Sequence, residues 1–220
     1  LTVVAGTQRR YQTGYLEAMR RVHDNAIGTI TAGRCYWNMG TLWHRERARE
    51  MTDVEWQIRN WLYFTWLSGD HIVEQHVHNV DVINWAIRTH PEKCVALGGR
   101  QVRTAENFGH IFDHFAVDYT YPNDVHVMSM CRQIAGCQNN ISEAVVGTNG
   151  ILTTSASARL YRINRLNGEN VWTLPRAEDN EPYQAEHVAL FDSIRGRNRR
   201  TRINDLRAVA ESTLTAIMGR

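Results

Sequence analysis

Apolar and polar positions divide the chain into three stretches with different periods. The opening "LTVVAG" is almost wholly apolar and predicts a buried strand, with polar Gln8, Arg9 and Arg10 at its C-terminal end. From 13 to 28, "TGYLEAMRRVHDNAIG" has helical spacing: Tyr15, Met19 and Val22 recur at four and three, and Gly28 is a stop signal. "TITAGRCYWN" predicts a second strand. The segment 39–66 is rich in Trp and Arg and has no clean period, though part of it reads as helical. Residues 68–88 predict one amphipathic helix ending before Pro91.

From 93 to 174 the period becomes two. In "HIFDHFAVDYTY" Ile111, Phe115, Val117, Tyr119 and Tyr121 share a face; "PND" supplies turn residues, and "VHVMSMCRQI" alternates again. That is a hairpin within a larger antiparallel sheet. "SEAVVGTNGILTTS" predicts two short strands around "TNG", and "LYRINRL" with "VWTLP" a further hairpin about "NGEN". "EPYQAEHVALFDSIRG" and "INDLRAVAESTLTAIMGR" predict two closing helices. The order is that of an α/β ending followed by an α+β domain.

The helix predicted at 68–88 carries unusual chemistry. At about 100° per residue, His71, Glu74, His78 and Asp81 fall on one face. Ile72, Val73, Val80, Ile83 and Ile87 fall opposite, with His76 among them, so His76 is expected in the core. A solvated face normally carries Lys and Glu; one of His, Glu, His and Asp points to acid–base work or metal binding. A second cluster, His110, Asp113 and His114 in "HIFDH", splits across the two faces of a strand, which weakens it as a ligand set. His71, Glu74 and His78 are the better metal triad, yet proton transfer is the stronger reading and no metal is expected.

Composition narrows the class. The 220 residues are 43% hydrophobic and 22% charged with net charge +2, which gives no reason to expect a nucleic-acid partner. The dense basic run "RGRNRRTR" at 195–202 lies between helical patterns and predicts a solvated connection. No apolar run is long enough to span a membrane. Four cysteines without a C-x-x-C pair predict buried small side chains rather than a structural zinc site, and leave the compartment open.

Four strings in order resemble the Gfo/Idh/MocA family, the glucose–fructose oxidoreductase and inositol dehydrogenase type: "VVAGTQRRYQTGYLEAMRRV", the "SGD" turn with the helix after it, "EAVVGTNG" and "ESTLTAIMGR". The resemblance implies a C-terminal α+β domain at 29–220, built on an open, mainly antiparallel sheet with helices on one face. Residues 1–28 would be the last strand–helix unit of a Rossmann-type dinucleotide-binding domain. It further implies NAD or NADP as cofactor, a sugar, polyol or glycoside hydroxyl as substrate, and pairing of copies through the open sheet face.

In the family's D-x-x-x-H pattern, Glu74 takes the Asp position and His78 the His position, so the resemblance makes these two the catalytic pair. Gln8, Arg9 and Arg10 would lie by the cofactor. Trp37, Asn38, Trp43 and Arg45 would meet the substrate, since aromatic faces beside hydrogen-bonding groups suit sugar rings; His71 and Asp81 would join them. Glu for Asp adds a methylene, enough to move a carboxylate on the scale that matters to catalysis. The family's G-x-G-x-x-G turn and E-K-P segment are absent, so the chain is expected to be the C-terminal fragment of an NAD(P)-dependent oxidoreductase, inactive alone. The rival readings are a family member that cleaves glycosides by transient oxidation and elimination, and a non-catalytic sugar-binding or scaffold member.

Overall fold

Eight strands form one sheet in the order β2-β3-β4-β1-β5-β6-β7-β8 in the computed structural model, which describes residues 1–196 and 202–220. The strands are β1 (Ile30–Met39), β2 (Lys93–Gly99), β3 (His114–Tyr121), β4 (Val125–Gln133), β5 (Asn140–Gly147), β6 (Gly150–Ser155), β7 (Leu160–Arg165) and β8 (Asn170–Thr173). Every pairing is antiparallel except β1 with β4, which run parallel at the centre. The helices are α1 (Thr13–His23), α2 (Asp53–Arg59), α3 (Thr65–Ser68), α4 (His71–Glu74), α5 (Val77–Ile87), α6 (Pro182–Ile194) and α7 (Leu206–Gly219). The architecture is the expected α+β one, an open sheet with helices against one face.

The period-two pattern explains which side of the sheet is covered. On β4, Val125, Val127, Ser129, Cys131 and Gln133 are buried while His126, Met128 and Met130 are exposed. Tyr15, Met19 and Val22 of α1, and Val82, Ile83 and Ala86 of α5, pack with Phe115, Val117, Tyr119, Val127, Val145 and Leu152 in one core. Each such fully buried side chain contributes about 1.5–3 kcal/mol. The β3–β4 turn holds Asn123 and Asp124 at φ 63° and 58°, a backbone region that Asn and Asp tolerate better than most residues. Helix α2 starts with a side-chain N-cap: the Thr52 hydroxyl accepts from the Glu55 N–H at 3.2 Å.

Three expectations need correction. "LTVVAG" is not a strand: among the described residues its one pairing is a single parallel bridge, Val3 to Asn204, and a lone bridge cannot satisfy a strand's backbone groups. Gln8–Tyr11 then form a 3₁₀ turn, where a strand end was expected. The helix expected at 68–88 is broken, with α4 and α5 separated by Gln75 and His76. The strand "KCVALGG", β2, alternates too weakly to have been singled out. Residues 197–201 of the basic run lie outside the described residues.

Helix α1 begins without a side-chain cap of its own. Its first two N–H groups are satisfied from a distance: Thr13 donates to Asn180 Oδ1 at 2.8 Å and Gly14 to Asp179 Oδ1 at 3.1 Å. The Tyr161 ring occupies the place a Cβ on residue 14 would take, so only glycine fits there. Gln12 Nε2 donates to Asp179 Oδ2 at 2.7 Å and Asn180 Nδ2 to the Tyr11 carbonyl at 3.0 Å, which sets residues 8–12 beside the start of α6.

Candidate active site

The site is built around the break between α4 and α5. Gly69 and Asp70 both have positive φ, 72° and 77°, reversing the chain after α3. Asp70 is fully buried, and its carboxylate accepts from four donors: the His71 N–H at 2.7 Å, His71 Nδ1 at 3.1 Å, the Phe112 N–H at 3.0 Å and Arg220 Nε at 3.0 Å. This turn holds His71 in the core, 0% exposed and against the Phe115 ring. At the break the His76 N–H bonds to the His71 carbonyl, five residues back, at 3.1 Å. Such a π-type turn adds one residue to the register, about 100° of rotation. His71 therefore does not share a face with His78, contrary to the regular-helix reading, and as placed it cannot touch a substrate.

Glu74 and His78 flank this turn, and both are half-buried. Burial pushes the Glu74 carboxyl up to about 7. Burial, and then the positive charge of Arg9, push His78 down to about 4. Near neutral pH the imidazole is thus neutral and the carboxyl divides between its two forms. Glu74 Oε2 and His78 Nδ1 are enclosed and have no hydrogen-bond partner among the described residues. The His78 ring stacks on Trp37, centroids 5.9 Å apart and planes at 27°. His76 lies in the core as expected, bonded to Ser129 Oγ at 2.6 Å, and burial holds it at about 3.

Below this pair lies a buried ionic network. Arg9, 3% exposed, donates through Nη1 to Glu143 Oε1 at 2.5 Å. Glu143 also accepts from Asn79 Nδ2 at 2.6 Å, Thr154 Oγ1 at 2.7 Å and the Tyr15 hydroxyl at 2.9 Å. The Arg9 guanidinium stands 5.5 Å from the Trp37 ring and 5.7 Å from that of Tyr15. Glu143, Asn79, Thr154 and Tyr15 were not foreseen. Glu143 was findable, because period two in "ISEAVV" puts it on the same face as Ile141 and Val145.

A cleft of about 280 Å³ opens beside this network, lined by Gln8, Arg9, Gln12 and Trp37, by Ser157 and Arg159 of the β6–β7 turn, and by Tyr183 of α6 among others. Gln8 Oε1, Gln12 Oε1 and Arg9 Nε have no hydrogen-bond partner among the described residues. Neither Glu74 nor His78 lines the cleft; Trp37 connects it to the His78 ring.

The other expected site residues are spread out. Arg10 and Asp81 are committed to each other in a two-pronged ion pair at 2.8 and 2.9 Å, and Asp81 also takes the Ser212 hydroxyl at 2.8 Å. Asp81 is 1% exposed, so it ties α5 to α7 and the Gln8–Tyr11 turn instead of facing a ligand. Asn38 follows Trp37 on β1 and so points to the opposite face of the sheet. Trp43 and Arg45 belong to a separate loop cluster: Trp43 packs on Tyr63, and Arg45 borders a different cleft with Arg47, Trp56 and Glu106. Among the described residues no three His, Cys, Asp or Glu side chains gather as a metal site.

Residues 15–153 match the model of the GFO/IDH/MocA C-terminal domain. The chain belongs to the Gfo/Idh/MocA family. Solved structures agree in fold across this Gfo/Idh/MocA chain. Aldose-aldose oxidoreductase from Caulobacter crescentus, complexed with glycerol, superposes with a TM-score of 0.71 at 18% identity, covering 100% of this chain and 63% of that one. Levoglucosan dehydrogenase, in complex with NADH and levoglucosan, gives 0.68 at 12% identity, covering 97% and 62%. A super-repressor mutant of Gal80p from Saccharomyces cerevisiae gives 0.70 at 13% identity, covering 99% and 60%. The chain thus spans less than two thirds of these proteins. No protein of curated function matches it by sequence. No described helix is long and apolar enough to cross a membrane.

Proposed function

We propose that the protein carrying this chain is an NAD(P)-dependent oxidoreductase acting on a hydroxyl of a sugar, polyol or glycoside, with Glu74 and His78 handling the proton. The observation that carries this reading is the pair itself: two half-buried titratable groups on either side of a π-type turn, each with an enclosed polar atom that has no partner among the described residues. The domain organisation, 1–28 belonging with a dinucleotide-binding domain and 29–220 with the substrate domain, is part of the proposal. So is a contact between copies through the open sheet face, where Val95 and Leu97 are 76% and 77% exposed.

Bound nicotinamide would accept or supply the hydride. The residues at the cleft fit its carboxamide edge, since Gln8 Oε1 and Gln12 Oε1 can accept from it and Arg9 Nε can donate to it. No phosphate-cradling glycine turn is present among the 15 glycines. Neutral His78 takes the hydroxyl proton as the alcohol is oxidised, and Glu74, titrating near 7, stabilises the imidazolium or shares the proton. Trp37 lines the same cleft and adds apolar surface to it.

The test is hydride transfer by the full-length protein with NAD and NADP across a panel of sugars, polyols and glycosides. His78→Ala should lower turnover by about 10²–10⁴. Turnover within about threefold of wild type would remove His78 from the chemistry. The likeness to the repressor Gal80p favours a second reading, a non-catalytic sugar-binding or scaffold member; binding of a panel member without turnover by wild type would select it.

A further inference from the structure

Nothing in the proposed chemistry uses Glu143, although it is the most heavily bonded side chain near His78. It is 2% exposed on the helix-facing side of β5, and its two oxygens take four donors. A glutamate buried this completely needs all of them, because an unmatched charge there is costly. Two of the four lead toward His78. Asn79 is its immediate neighbour in α5. Arg9, fixed by Glu143, lies against the Trp37 ring on which the imidazole stacks. The other two, Tyr15 and Thr154, lead toward α1 and β6. His78 Nδ1 has no hydrogen-bond partner among the described residues, so the ring's direction is set by the surfaces it rests on.

We propose that Glu143 is the positioning residue for the His78 imidazole: it anchors Arg9, which braces the Trp37 indole beneath the ring, and it anchors Asn79 in the turn that carries it. Glutamine at 143 would keep the length but bring an NH₂ against donors that need an acceptor. Lysine at 9 would keep the charge but lose the planar cover of the indole. The functional meaning rests on the proton-transfer reading above; the geometry does not.

The measurement is NMR of the histidine ring protons in the chain. Stacking on Trp37 displaces the His78 resonances upfield. That displacement should be lost in Glu143→Gln and in Arg9→Lys. It should persist in Thr154→Val, which removes a donor leading away from His78. Exposed His126 and His187 should stay unmoved in all three. A folded Glu143→Gln protein with His78 resonances at the wild-type positions overturns the proposal, and so does Thr154→Val displacing them as far as Glu143→Gln does. Should Glu143→Gln fail to fold, Arg9→Lys decides alone, with unchanged His78 resonances again overturning it. Absence of hydride transfer in the enzyme assay would leave this spectrum standing, so the two readings fail separately.

Discussion

At Asp81 two nitrogens of Arg10 and the Ser212 hydroxyl converge on a carboxylate with 1% exposure. At Glu74, seven residues earlier on the same stretch, an enclosed carboxylate oxygen meets no donor among the described residues. Asp70, at the start of the stretch, resembles Asp81, with four donors. Stability alone would pair or remove all three acids, since an unmatched buried polar group costs about 1–3 kcal/mol. The difference separates two duties: the aspartates at the ends clamp the stretch in place, and the middle is left chemically unspent.

The comparison can be broken in four ways. Asp70→Ala leaves two backbone N–H groups and the buried His71 Nδ1 without their acceptor and should cost about 3–5 kcal/mol in urea unfolding; a cost below about 1 kcal/mol would mean that the clamp is idle. Asp81→Ala frees Arg10, which is 20% exposed and can turn to water, so about 2–3 kcal/mol is expected from the same measurement. Glu74→Gln should act in the opposite direction. Its carboxyl rises from 4.5 to about 7 on folding, so the native state binds the proton more tightly than the unfolded chain. Wild-type stability attributable to this group is full below pH 4.5, drains between 4.5 and about 7, and levels off above. Glu74→Gln removes that slope and should be the more stable protein above pH 7 by about 1–3 kcal/mol. Parallel pH–stability curves for the two proteins would show Glu74 to be partnered in solution. His78→Phe keeps a ring on Trp37 and gives up no hydrogen bond, so it should change stability by less than about 1 kcal/mol; a larger loss in thermal unfolding would make His78 a structural residue.

Legibility from the sequence followed the physics of each element. The β3–β4 hairpin could be read because "HFAVDYTY" and "VHVMSMCRQ" alternate cleanly around a turn of residues suited to it. His76 could be assigned to the core because it falls on the apolar stripe. His71 could not be placed, because a pattern read at 100° per residue has no way to register one extra residue in a π-type turn. The fate of Arg10 and Asp81 was hidden for another reason. They are 71 residues apart, and which charges meet is decided by tertiary packing, not by local spacing. Glu143 lay in plain alternation, but a carboxylate pointing inward is explicable only once Arg9, Asn79, Tyr15 and Thr154 are seen to converge on it.

The central position of β1 has a bearing on how the chain is made. Ala32 pairs with His126 on one side and Val146 on the other, so both edges of this strand wait for segments synthesised much later. Loops that long close slowly, and until they do a ten-residue strand presents two rows of unsatisfied backbone groups. During translation, residues 30–39 stay open to wrong partners until 125–147 have emerged, which makes this early strand the segment most in need of a chaperone's cover.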